Sequence, residues 1–334
     1  MQYRYYHYIC SDTEKEIYAA LLSGFLEYNN RIAIPFGNIP VDEVWKVITM
    51  VLYDNPRLFF VSKNKCRIIT AIDKTIIEPQ YTFPASSIIE LNKWLNECIG
   101  EVCSPIFFVN DAFSKEIYIH NYLIQNVKYS KTNVAQSANA YTVIGALLEN
   151  YSVCAGVALT FKLMMDFLDI PCIVAIGNTI NQGSENSRHA WNIVQIDNEF
   201  YQLDVTWDLL EDQNDRIVKY DYFNLPDTEM VYSRIPDYAY PKCEHMNLNY
   251  FMYMNSIAYS ISELQDIIER KVNSNEESIY VKYLNANLCN DEIHRMLNCI
   301  RGIGSYSFWH HQEMKTILIK RFKARCNNES IFIN

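Results

Sequence analysis

The chain has 334 residues, 49% of them apolar, with a formal net charge of −10 and a pI near 5.2. It can bury a substantial core, but it lacks the clustered Lys and Arg that a phosphate backbone requires, which argues against a nucleic-acid partner. No apolar run reaches the roughly 18 residues of a membrane span, and Met1-Gln2-Tyr3-Arg4-Tyr5-Tyr6-His7 has no signal-like apolar core, so the sequence reads as a cytoplasmic protein without membrane attachment.

In chain order, Ser11-Asp12-Thr13-Glu14 is a capping box ahead of Ile17, Leu21, Leu22, Phe25 and Leu26, and it predicts a helix over 12–28. Pro40 opens a second helix through Leu52, closed by Asp54-Asn55-Pro56, and short strands are expected at 58–61, 66–72 and 75–81. Helical spacing returns at 86–99 and 112–127. Residues 1–109 thus read as an N-terminal α+β region. Within 110–240 the helices come first and strands follow, expected at 171–177, 188–196, 199–207 and 217–223. That order suits a helix packed on an antiparallel sheet. Beyond Pro241 a strand (250–254), a helix (260–271), a strand (278–283), a helix (291–301) and two strands (306–310, 316–321) predict a small C-terminal α+β domain over 241–334. The fold class is therefore α+β.

The ten cysteines lack the dense spacing of a secreted disulfide scaffold and the paired motifs of zinc knuckles, and most read as reduced core residues. Cys154 differs. The small and polar run Glu149-Asn150-Tyr151-Ser152-Val153 gives way there to the apolar-periodic stretch Ala155 to Leu168, which places the sulfur at a helix start. Unpaired N–H groups and the helix dipole at that end favour a thiolate, and such thiols titrate between roughly 3.5 and 7.5. The Cys154 amide is also the best placed donor for an oxyanion.

Downstream, Asp197-Asn198 forms a two-residue hairpin turn between strand-like segments. If Ile196 faces Glu199, Trp191 is opposite Asp204, and His189 lies two residues away on the same face. A helix packed across that face brings sulfur, imidazole and carboxylate together as nucleophile, base and orienting acid.

Blander readings exist for each residue. A lone helix-start cysteine is more often an inert buried thiol. His120 on an amphipathic helix reads as a structural or rim residue. His310 and His311 are adjacent in a strand and point to opposite faces, which disfavours shared metal ligation. A metal site of Cys154, His189 and Asp204 is chemically available, but a sulfur at a helix start suits a nucleophile better, so neither metal nor cofactor is expected. Gln136 is either a side-chain oxyanion donor or a plain loop glutamine.

The segments Ile144-Gly145-Ala146-Leu147, Val153-Cys154-Ala155-Gly156-Val157-Ala158, Ile170-Pro171-Cys172-Ile173-Val174-Ala175-Ile176-Gly177, His189-Ala190-Trp191-Asn192 and Tyr201-Gln202-Leu203-Asp204-Val205-Thr206-Trp207-Asp208 resemble the bacterial transglutaminase-like family of the papain-like superfamily. The likeness spans about residues 115–225. It implies a core in which the cysteine-bearing helix packs on an antiparallel sheet, flanked here by α+β regions. It also implies Cys154, His189 and Asp204 as nucleophile, base and orienter, with Trp191, Asn192 and Trp207 lining or buttressing the site. Val157 departs from the aromatic residue that many members carry there.

The resemblance implies a thioester formed from an amide or peptide carbonyl and released to water or to an amine. A cysteine peptidase or amide hydrolase acting on a peptide or protein substrate is the leading expectation, because no calcium-type acidic loop is evident. A cross-linking transglutaminase and a non-catalytic peptide-binding protein with a vestigial triad remain open. No feature indicates an oligomeric state.

Overall fold

The computed structural model describes residues 2–130, 138–180, 187–209 and 218–322. The chain opens with a single helical turn, α1 (Tyr5–Ile9), whose Tyr6 and His7 N–H groups are accepted by the buried Asp54 carboxylate at 3.1 and 2.9 Å. Helix α2 (Asp12–Leu26) starts at the expected capping box, with Ser11 Oγ accepting from the Glu14 N–H and Glu14 accepting from the Ser11 N–H. Such a cap is worth about 1 kcal/mol.

Strand β1 (Ile32–Ile34), helix α3 (Val41–Asp54), strands β2 (Arg67–Thr70) and β3 (Thr75–Glu78), and helices α4 (Ala85–Cys103) and α5 (Ala112–Asn126) follow. The three strands form an antiparallel sheet of order β1-β3-β2. The strand expected at 58–61 is instead a 3-10 turn at Pro56–Leu58 and a lone bridge from Val61 to Tyr81, because Pro56 opens a tight turn.

Next come β4 (Lys128–Tyr129), α6 (Val143–Leu147), β5 (Tyr151–Ser152), α7 (Cys154–Phe167), β6 (Cys172–Thr179), β7 (Arg188–Ile196), β8 (Glu199–Leu203), α8 (Val205–Leu209), α9 (Asp227–Met230) and β9 (Arg234–Pro236). Four of these strands form an antiparallel sheet of order β8-β7-β6-β9. The hairpin has the anticipated register, Ile196 opposite Glu199 and Asn192 opposite Leu203, around Asp197 and Asn198, both at positive φ as a type I′ turn requires.

Two expectations fail in this part. The strand drawn over 199–207 stops at Leu203, because Asp204 Oδ1 accepts the Trp207 N–H at 3.2 Å and starts α8 as a helix cap would. The strand drawn over 217–223 is absent from the described residues 218–223, which are turn and coil; its first residue lies outside the described chain.

Helix α7 is buried on nearly every side, including Val157, Phe161, Met164 and Met165, as befits a central helix. Its buried Lys162 is satisfied by the Tyr3 and Cys172 carbonyls at 2.7 and 2.8 Å and by Asp166 at 3.2 Å. The N-terminal turn joins the same body. Tyr6 donates to the Val174 carbonyl at 2.7 Å, and Tyr240 accepts from the Ile176 N–H at 2.9 Å.

The chain divides into two compact units, Met1–Val218 with Tyr222–His245, and Lys219–Asp221 with Met246–Asn334. The second holds α10 (Tyr250–Tyr253), β10 (Ile257–Ala258), α11 (Ile261–Asn273), β11 (Ser278–Tyr283), α12 (Asn290–Cys299), β12 (Ser305–His311) and β13 (Thr316–Phe322). Its sheet runs β10-β11-β13-β12, and a core of Leu264, Ile268, Ile279, Val281, Ile293, Leu297, Ile317 and Ile319 joins sheet to helices. Residues 250–254, expected as a strand, form a helical turn because Asn249 accepts from the Phe251 N–H at 3.2 Å. Among the described residues no helix is long and apolar enough to cross a membrane.

Candidate active site

Cys154 is the first residue of α7, so its own N–H and the next ones have no acceptor within the helix. Gly156 allows that start: a Cβ there would lie 2.2 Å from Ser152 Oγ and 2.5 Å from the Ala140 carbonyl oxygen, closer than any side chain tolerates. Cys154 as a whole residue is half-buried, whereas His189 and Asp204 are buried.

The helix does not cross the His189 face, contrary to expectation. Ala158 of α7 packs on Val174, Ile176 and Ala190, and the register puts those three on one face of the sheet and His189 and Trp191 on the other. The reason is steric, since the small Ala158 and Ala190 let the helix lie close. The sulfur instead arrives at the edge left where β8 pairing ends, at Leu203 opposite Asn192. Two residues beyond that end the Ala190 N–H hydrogen-bonds the sulfur, as does the His189 side chain. His189 Nε2 lies 2.6 Å from Asp204 Oδ2. That leaves Nδ1 as the ring nitrogen free for Cys154.

The electrostatics oppose burial and overcome it. Burial disfavours the Cys154 thiolate, but the hydrogen bond and charge of His189, with help from the Ala190 N–H, hold the thiol below its ordinary value. Burial likewise disfavours the imidazolium, yet Asp204 and then Cys154 push His189 up to about 9. At Asp204 burial is outweighed by His189 and Arg234, which hold the carboxyl well below the usual carboxylate range. These directions favour a thiolate–imidazolium pair backed by a carboxylate. Burial, followed by the charge at Cys154, holds the phenols of Tyr53 and Tyr129 well above their ordinary value, so α3 and β4 also border the sulfur.

The remaining expected residues separate. Trp191 stacks on His189, with ring centroids 6.2 Å apart and planes at 12°, and donates to Gln202 Oε1 at 2.7 Å. Trp207 lies 6.0 Å from the imidazole. Asn192 faces away from His189 and donates to the Ala158 and Ile173 carbonyls at 3.0 and 3.3 Å, tying α7 to the sheet. Gln136 lies outside the described residues. His120 is fully buried and 3.0 Å from Asp208 Oδ2, so it is structural and not a rim residue. His310 bonds Tyr283 and Asn290, while His311 accepts from the Met314 N–H. Among the described residues no three His, Cys, Asp or Glu side chains form a cluster able to hold a metal.

The sequence reading missed Arg234. This residue of β9 is buried, donates from Nη2 to Asp204 Oδ2, and lays its guanidinium over Trp207 at 3.6 Å from the ring centroid. Only its place in a mostly apolar stretch, Met230 to Tyr240, hinted at burial.

Comparison with known proteins shows what the chain is similar to. No curated protein matches the chain. Structural matches include a protein described as a TGase, with 15% identity, 57% of this chain, 54% of that one and a TM-score of 0.29. They also include a candidate cysteine protease from Cytophaga hutchinsonii, with 13% identity, 42% and 61% coverage and a TM-score of 0.28. A candidate protease from Parabacteroides distasonis matches at 13% identity, 43% and 30% coverage and a TM-score of 0.27. The chain thus spans about half the length of the first of these. The model of the transglutaminase-like superfamily matches residues 107–205, a span that contains Cys154, His189 and Asp204. Over residues 107–205, and within a longer chain, the sequence is similar to that superfamily.

Proposed function

We propose that the protein is a thiol-dependent hydrolase of amide or peptide carbonyls, in which Cys154 is the nucleophile, His189 the proton carrier and Asp204 the acid that orients it. The observation that carries this reading is the imidazole held between the sulfur and a buried carboxylate, with the thiol's ionisation favoured against its own burial.

In this scheme the Cys154 thiolate attacks the carbonyl carbon, and the oxygen gains charge beside the Cys154 N–H at the start of α7. The His189 imidazolium gives its proton to the departing amine as the C–N bond breaks, leaving a thioester. Neutral His189 then takes a proton from water as the water oxygen attacks the thioester, and the thiolate leaves with the imidazolium restored beside it. Asp204 stays ionised throughout and fixes the Nε2–H tautomer.

The test is mass spectrometry of a defined peptide library after incubation with the protein, with and without a primary amine, against Cys154→Ala. Loss of an amine with gain of water, dependent on Cys154, is the expected result. Amine adducts alone would replace hydrolysis by cross-linking, and turnover by Cys154→Ala at the parent rate would refute the role of the sulfur.

A further inference from the structure

Arg234 has no part in that proton traffic, yet it occupies an improbable place for a cation. It is 2% exposed on an edge strand, where a turn of the side chain toward solvent would avoid the cost of burial. Its guanidinium is instead drawn inward. Nη2 donates to Asp204 Oδ2, Nη1 donates to the Ser233 carbonyl at 3.1 Å, and the flat face lies 3.6 Å from the Trp207 centroid and 5.5 Å from that of Tyr222.

The backbone is shaped to admit it. Gly177 faces β9, and a Cβ there would lie 2.1 Å from the Ile235 carbonyl oxygen, so any other residue would push the strand and its arginine away. Three separate elements therefore converge on one carboxylate. Trp207 of α8 holds Oδ1 through its N–H, while His189 of β7 and Arg234 of β9 share Oδ2.

We propose, on the reading of Cys154, His189 and Asp204 as the reacting trio, that Arg234 is a positioning residue whose guanidinium, clamped on Trp207, keeps Asp204 charged and aimed at His189. It touches neither the sulfur nor the carbonyl under attack. A permanent cation beside an acid favours the ionised form, which holds the proton on imidazole Nε2, and the same charge opposes the imidazolium, so that its removal raises His189 while Asp204 stays ionised.

Other charged and titratable groups border the trio. Tyr53 of α3 and Tyr129 of β4 face it, and both remain protonated. Tyr222 lies under the guanidinium. At the start of β7, Arg188 is paired with Asp237 at 2.8 Å, with Lys63 near them. In the last turn of α8, Asp208 holds His120. Of these groups, Arg234 is the cation in contact with Asp204 besides His189.

The test removes the sulfur from the question. In a Cys154→Ala background with ¹⁵N-labelled histidine, the titration of His189 is followed by NMR with and without Arg234→Gln. Taking away a positive charge opposes every proton loss at the site, so His189 is expected to titrate higher by about one pH unit. A side chain that merely fills space would leave the titration where it is, and an unmoved His189 overturns the proposal. Should the glutamine variant fail to fold, citrulline at position 234 keeps the shape and removes the charge; the same upward shift is expected, and its absence is equally fatal. Alkylation of wild-type Cys154 reports separately on whether the sulfur is a nucleophile, so the two ideas can fail independently.

Discussion

Asp204 precedes the short helix α8 and Asp208 lies within it, and each holds a histidine, His189 at 2.6 Å and His120 at 3.0 Å. The two pairs titrate in opposite directions. At His120 burial prevails and pushes the imidazole down to about 4, whereas at His189 the charges of Asp204 and Cys154 prevail and raise it to about 9. His120 sits edge-on to Phe223 with centroids 4.9 Å apart, and Asp208 gives its other oxygen to the Tyr222 N–H at 3.0 Å. Asp204, by contrast, has Arg234 on it and the thiol beyond its histidine. A histidine within reach of an aspartate is thus held neutral or held charged according to its neighbours.

The largest effect is expected where the charged pair is broken. Asp204→Asn leaves Arg234 without its counter-charge and His189 without its anchor. The rate of Cys154 alkylation at pH 6 should fall on the order of 10²- to 10⁴-fold. Stability should drop by about 3–5 kcal/mol, because a buried charge loses its partner. Timed intact-mass spectra and urea unfolding would measure the two, and an unchanged alkylation rate would count against the relay. His120→Gln is the counterpart. It should cost about 1–3 kcal/mol for a buried hydrogen-bonded group and leave the alkylation rate within about twofold. A large loss of thiol reactivity in that variant would erase the distinction between the pairs.

The dependence on pH sharpens the contrast, since the signs differ. His189, raised from 6.5 to about 9, contributes stability that is complete below 6.5 and is lost as pH rises through 9. His120, lowered from 6.5 to about 4, contributes stability that is complete above 6.5 and is lost as pH falls toward 4. Guanidinium unfolding across that range should show the acid-side decline flattened in His120→Gln and the alkaline-side decline flattened in His189→Gln. A swap of those outcomes would reverse the assignment. The smallest effect belongs to Arg188→Ala at the exposed pair with Asp237, expected below about 1 kcal/mol in the same unfolding assay.

Much of this site was legible in the chain because its determinants are local. The Asp-Asn turn sets the hairpin register, register places His189 near Asp204, and the change from polar to apolar residues at Val153 starts the helix on Cys154. What escaped depends on long-range approach. Arg234 reaches Asp204 only because Gly177 lets β9 close on β6, and nothing near Arg234 in sequence announces that. The end of β8 at Leu203 was missed because Val205-Thr206-Trp207 has strong strand propensity, and only the capping role of Asp204 turns it into a helix. The side of the sheet that α7 covers was misjudged for a similar reason, since it follows from the fit of Ala158 against Ala190 and not from any periodicity.

The account rests on the state of one sulfur, and a brief exposure of the native protein to iodoacetamide at pH 6, with peptides mapped by mass spectrometry, reads that state directly. Cys154 is expected to be modified well ahead of Cys289 and Cys299, although those two are more exposed, and to lose that lead in His189→Ala. Modification that follows exposure alone, with Cys154 behind Cys289 and Cys299, would contradict the thiolate–imidazolium pair.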